Sequence, residues 1–182
     1  NSLTNNLSLA LAFEFEDNGK VMLFPGDAEF GSWKSWHDIH WGQQGETAHE
    51  SNDPLTTENL LNRVVFYKVA HHLSHNGTAR SVGLDMMTSA DLVAMATLDY
   101  DVISSGWKST MPNQLILKEL LQKTRGRTII MNENGLLYDR HNGIELSDKI
   151  NEFRSSMPAA ERTAFENAVK VEPHFIEYTL TV

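Results

Sequence analysis

Cysteine is absent from the 182-residue chain. That excludes a disulfide scaffold, cysteine-held zinc, iron–sulfur clusters and thiol catalysis, and it leaves the redox compartment open. Any metal would have to be held by His, Asp and Glu. Long apolar runs are missing too: no stretch approaches the roughly 18 residues of a membrane span, and the N-terminus lacks the basic-then-apolar layout of a signal peptide. Basic residues are in deficit, with 15 Lys and Arg against 24 Asp and Glu and a formal net charge of −9. Such a surface repels phosphates on average, which argues against a protein that coats nucleic acid; a local metal cluster would still bind an anion. There is no Gly-x-Ser-x-Gly, no phosphate-cradling glycine loop and no internal repeat.

What is present reads as a folded domain. Hydrophobic residues make up 41% and charged residues 21%, an ordinary globular balance. A chain of this length buries about 70% of its unfolded surface, enough for a core without staples. The first residue is Asn1, and the expectation is of a piece cut from a longer protein.

Leu9, Leu11, Phe13 and Phe15 alternate with smaller or charged residues, the pattern of a strand with one buried face. Asp17-Asn18-Gly19-Lys20 supplies a turn and Val21-Met22-Leu23-Phe24 a more fully buried partner strand, ending in Pro25-Gly26-Asp27. Residues 31–54 read as a long loop or two short helices. Leu55 to Asn62 fits a short helix, and Val64 to Ala70 is a β-branched and aromatic run that delivers His71-His72-Leu73-Ser74-His75-Asn76-Gly77. A helix is predicted within 79–89 and strands at Leu92–Met95 and Val102-Ile103. Pro112 and the stripe Leu115, Ile116, Leu117, Leu120, Leu121 predict a helix that Gly126 ends. Thr128–Met131 and Leu136–Tyr138 flank a turn at Glu133-Asn134-Gly135. Alternating strands and helices imply a layered α/β fold. Beyond a boundary near His141-Asn142-Gly143, two polar helices (Ser147–Ser156 and Pro158–Val169) and a closing strand with Phe175, Tyr178 and Leu180 form an appendage.

Two predicted strand ends carry candidate ligands, Gly26-Asp27-Ala28-Glu29 and Lys68 to Thr78. Asp and His suit Zn²⁺, Mn²⁺ or Fe²⁺, and a carboxylate has two oxygens with which to bridge two ions. Neighbouring strand residues face opposite ways, so one of His71 and His72 enters a site while the strand stays regular, with Lys68 on the side of His72. Lys68 could meet an anionic group, while Ser74, His75 and Asn76 are candidates to line a substrate pocket. In Trp36-His37-Asp38-Ile39-His40-Trp41 the two histidines stand three apart, but the flanking tryptophans favour packing, or aromatic pocket lining, over a metal site.

The stretch from Asn5-Asn6-Leu7-Ser8 to Leu23-Phe24-Pro25-Gly26-Asp27-Ala28-Glu29, followed by Tyr67-Lys68-Val69-Ala70-His71-His72-Leu73-Ser74, resembles the second half of a metallo-β-lactamase-fold hydrolase. It is most similar to the branch containing the hydrolase domain of bacterial DNA-uptake competence proteins. In that branch an Asn-Asn-x-Ser strand precedes a Gly-Asp-Ala-Glu turn, and Lys-Val-x-His-His-Gly-Ser follows. The resemblance covers roughly residues 5–138, including Val102-Ile103-Ser104-Ser105-Gly106 and Pro112 with its helix.

It implies the C-terminal half of a four-layer αββα sandwich with a mixed sheet over residues 1–143, then a small helical appendage over 144–182. It also implies two divalent transition-metal ions, zinc by preference, with Asp27 bridging and His72 as a ligand. His72 is preferred to His71 because its His-x-Ser spacing to Ser74 resembles the superfamily's ligand strand. A metal-held hydroxide would attack an ester, amide or phosphodiester. Leu73 departs from the branch's Gly, and no His-x-His-x-Asp-His occurs anywhere. The expectation is therefore an inactive fragment of a hydrolase, partnered by the missing N-terminal half or by self-association. The alternative is a catalytically inert interaction or regulatory module of the same fold.

Overall fold

A computed structural model describes residues 5–39, 41, 55–98, 103–107, 110–132, 135–136, 150–172 and 175–181. Its centre is a mixed sheet in the order β1-β2-β3-β4-β5-β6. The strands are β1 (Leu11–Glu14), β2 (Val21–Phe24), β3 (Val64–Lys68), β4 (Val93–Thr97), β5 (Thr128–Asn132) and β6 (Gly135–Leu136). β2 to β5 run parallel to one another, and β1 and β6 are antiparallel to their neighbours. The β1–β2 hairpin closes as anticipated, with the Gly19 N–H donating to the Phe15 carbonyl at 2.8 Å. Five helices accompany the sheet among the described residues: α1 (Phe30–Trp36), α2 (Thr57–Asn62), α3 (Gln114–Lys123), α4 (150–155) and α5 (Ala159–Ala168). β7 (Val169–Glu172) and β8 (Phe175–Tyr178) form a separate two-stranded sheet. Among the described residues no helix is long and apolar enough to cross a membrane.

The parallel strands are hydrophobic without interruption because both sheet faces are covered. Successive residues supply opposite layers. Tyr67, Ala94 and Ile130 join a core with Trp33, Leu61, Leu84, Leu117, Leu120, Leu121 and Ile150. Their neighbours Phe66, Val93 and Ile129 face the other way, where Met157 and Phe165 are buried against them and Tyr178 stacks on Phe66 at 6.2 Å. The residues after 150 thus cover the sheet's second face. α3 is the predicted helix, with Asn113 accepting from the Leu115 and Ile116 N–H groups as its cap. Leu115 leaves the stripe and stands exposed.

Several expectations are corrected. All four residues of β1 are exposed among the described residues, where it is an edge strand of the sheet. Asn5–Leu7 is a 3-10 turn, not a strand. The helix predicted within 79–89 is replaced by turns and a 3-10 segment at Leu84–Met86. There the Leu84 and Asp85 N–H groups reach back five residues to Ala79 and Arg80, at 2.8 and 2.9 Å. Gly83 lies so close to the Trp33 ring that an added Cβ would sit 2.6 Å from it. Packing on Trp33 takes precedence over local helix propensity. Ile103 occupies a bend, and Val102 lies outside the described residues. The expected closing strand is present as β8, which among the described residues pairs with β7. The turn residues 133–134, the partner residues Leu137 and Tyr138, the boundary at 141–143 and helix residues 147–149 also lie outside the described residues.

Candidate functional site

The candidate ligands sit where adjacent parallel strands end, the edge of an α/β sheet at which sites are usually assembled. After β2 the chain turns through Pro25 and Gly26. Gly26 has φ +58°, and a Cβ there would come within 3.0 Å of the Leu9 carbonyl. Glycine is therefore required, and Asp27 follows it half-buried. Next to it, β3 ends at Lys68. Burial pushes the Lys68 ammonium pKa down, while the nearby Asp27 carboxylate pulls it back up.

Beyond Val69 the strand does not continue. His71 (φ 44°), His72 (φ 52°) and Leu73 (φ 62°) are three consecutive non-glycine residues in the left-handed region. This corrects the expectation of a regular strand that would put Lys68 and His72 on one side and separate the two histidines by face. Each such residue costs roughly 1–2 kcal/mol, so the turn persists only because its surroundings over-determine it. The His71 N–H donates to the Gly26 carbonyl at 3.1 Å, and the Ser74 N–H to the His71 carbonyl at 2.9 Å. The Asn113 N–H reaches the Leu73 carbonyl at 2.8 Å. Trp33 Nε1 donates to the Gly77 carbonyl at 2.8 Å. Gly77 is itself pressed against the turn, since a Cβ there would lie 2.5 Å from His71 Cβ.

The two histidines end up in different settings. His72 is exposed, and its Nδ1 lies 2.7 Å from the Thr97 carbonyl at the end of β4. A carbonyl only accepts, so Nδ1 is the donor, and in the neutral ring Nε2 is the nitrogen that keeps a lone pair. His71 Nδ1 is buried with no hydrogen-bond partner among the described residues.

Ser74 is 1% exposed and its hydroxyl donates to Asn76 Oδ1 at 2.6 Å. Asn76 Nδ2 donates to Glu29 Oε1 at 3.0 Å. Both side chains therefore belong to an internal network, whereas His75 is exposed on the loop. His37 Nε2 donates to the Val82 carbonyl at 2.9 Å, and His40 lies outside the described residues. Trp36 and Trp41 line an apolar cavity of about 520 Å³ with Leu9, Leu11, Leu55 and Leu61. None of Asp27, Lys68, His71 or His72 lines it.

The donor chemistry of Asp27 and the two imidazoles fits a divalent transition metal. The number of donors falls short: among the described residues no three His, Cys, Asp or Glu side chains form a group able to hold an ion. The sequence gives no sign of Thr97, and it places Glu29 in the candidate stretch Gly26-Asp27-Ala28-Glu29 without a role of its own. Thr97 contributes only a backbone carbonyl, which leaves no side-chain signature, and Glu29 differs from any turn glutamate only through partners distant in the chain. No family model, curated protein or solved structure matches this chain.

Proposed function

We propose that this chain carries part of the metal site of a hydrolase, with Asp27 and His72 as ligands and residues 1–143 as the C-terminal half of a metallo-β-lactamase-like sandwich. The observation that carries the reading is the His72 hydrogen bond to the Thr97 carbonyl, 2.7 Å long. Metal-binding histidines are commonly fixed in this way, one ring nitrogen donating to a carbonyl while the other is free for the ion. Asp27 belongs to the turn whose Gly26 carbonyl receives the His71 N–H, so one backbone hydrogen bond joins the residues that precede the two proposed ligands.

A divalent ion bound there would act as a Lewis acid on a water and on the scissile carbonyl or phosphoryl group. The chain's own residues hold and orient. Asp27 supplies carboxylate oxygens, His72 offers Nε2, and Lys68 supplies a cation to an anionic substrate, which favours a phosphodiester over a neutral ester or amide. The remaining ligands, including those a second ion would need, would come from a preceding half-domain.

The test is zinc or cobalt binding by a protein that joins the preceding half-domain to these residues. Asp27→Ala and His72→Ala are each expected to weaken binding by at least about a hundredfold, above the range seen for residues that only support a ligand. Loss of metal-dependent phosphodiester hydrolysis should accompany it. Absence of any transition metal at neutral pH in the unsubstituted protein would overturn the reading in favour of an inert interaction module.

A further inference from the structure

Glu29 is a carboxylate only 5% exposed, two residues beyond Asp27, and the proposed chemistry makes no use of it. Its Oε1 accepts from Asn5 Nδ2 at 2.9 Å and from Asn76 Nδ2 at 3.0 Å. Asn76 Oδ1 accepts the Ser74 hydroxyl at 2.6 Å. The Ser74 N–H holds the His71 carbonyl at 2.9 Å, and the His71 N–H returns to the Gly26 carbonyl at 3.1 Å. Gly26 lies in the turn closed by the Ala28 N–H on the Pro25 carbonyl at 3.1 Å, and the backbone continues directly from that turn into Glu29, the N-cap of α1. The hydrogen bonds therefore form a closed ring that runs from the turn after β2 through His71, Ser74 and Asn76 to Glu29.

Of the strained residues, His71 lies on this ring, and His72 and Leu73 are the two residues spanned by its Ser74–His71 hydrogen bond. His71 and His72 would relax toward ordinary backbone angles if it opened, because left-handed conformations are disfavoured for residues with a Cβ. Asn76 uses its amide at both ends, so neither bond can be released without leaving a polar group unpaired.

We propose that Glu29 is a positioning residue, whose carboxylate acts through Asn76 and Ser74 to hold His71 and His72 in the left-handed turn that aims His72 at Thr97. The purpose of the turn rests on the hydrolase reading; the positioning itself does not, and it is read without metal.

The experiment is NMR of the metal-free 182-residue chain with ¹⁵N-labelled histidine. In the unsubstituted protein His72 is expected to show a protonated Nδ1, fixed on the Thr97 carbonyl. Glu29→Ala is expected to lose that Nδ1–H resonance, with His72 reverting to the solvent-averaged mixture of tautomers. Glu29→Gln, which retains an acceptor oxygen, should restore it. A folded Glu29→Ala protein with an unchanged His72 spectrum would overturn the proposal, even with a lowered melting temperature. Should Glu29→Ala fail to fold, Asn76→Ala leaves Glu29 bonded to Asn5 and is read by the same two outcomes. Failure of metal binding in the longer protein would remove the hydrolase reading and leave this result standing.

Discussion

The Tyr67 hydroxyl lies 2.8 Å from Thr78 Oγ1 and accepts the Ala70 N–H at 3.2 Å. One phenol at the end of β3 thus fastens both ends of the segment that contains His71, His72 and Leu73. Tyr67 is fully buried, and it sits edge-on to Trp33 with ring centroids 6.2 Å apart.

Removal of that hydroxyl leaves Thr78 and the Ala70 N–H buried and unpaired. Tyr67→Phe is expected to cost about 1–3 kcal/mol in urea unfolding. A pH signature should accompany the loss. Burial pushes the Tyr67 pKa up to about 12, so from roughly pH 10 upward the unfolded chain gives up the proton while the folded one keeps it. The contribution is therefore complete below pH 10, and stability falls as pH rises, by up to about 1.4 kcal/mol per unit, until the folded pKa is passed. Burial also raises the Tyr178 pKa and lowers that of Lys68, so the quantity to measure is the difference between Tyr67→Phe and the unsubstituted protein. A difference that stays constant between pH 9 and 11, a window chosen around the reference tyrosine value of about 10, would contradict the assignment.

Leu73 sets backbone strain against burial. At φ 62° it adopts a conformation suited to glycine, yet its side chain is 0% exposed. Glycine would relieve roughly 1–2 kcal/mol of strain, while loss of a buried leucine costs about 2–5 kcal/mol. Leu73→Gly is therefore expected to be destabilising by a net of about 2 kcal/mol in chemical denaturation. A gain in stability would show that the strain dominates.

Phe165 tests whether the residues after 150 belong to the same cooperative unit as the sheet. It is 5% exposed and buried against a layer that includes Phe66, Val93 and Ile129. Phe165→Ala should cost about 3–5 kcal/mol. Tryptophan fluorescence, to which the buried Trp33 on the opposite sheet face contributes along with the three other tryptophans, and far-UV circular dichroism should shift together in one transition. A fluorescence midpoint that does not move would mean that the C-terminal residues unfold separately.

Much of the secondary structure is legible in the sequence because its signals are local. The run Val64 to Lys68, the apolar runs Val21–Phe24 and Thr128–Met131, and the apolar stripe that follows Pro112 each specify their element within a few residues. β1 misleads because alternation reports that a strand can bury a face; whether anything packs there is decided elsewhere. The segment 79–89 misleads because the close approach of Gly83 to Trp33 comes from a residue some fifty positions away.

The candidate site divides along the same line. The sequence by itself determined the donor types available, His and Asp without cysteine, and their delivery from the ends of two strands, because residue identity and strand periodicity are properties of the chain alone. Only the tertiary structure decided which histidine nitrogen is free, that His71 to Leu73 turn left-handed, and that Glu29 belongs to the clamp. The physical reason is that an unfavourable backbone conformation in non-glycine residues has no local cause. It is maintained by hydrogen bonds to the Gly26 and Thr97 carbonyls and from Trp33 Nε1 and the Asn113 N–H, groups that meet only once the sheet has formed.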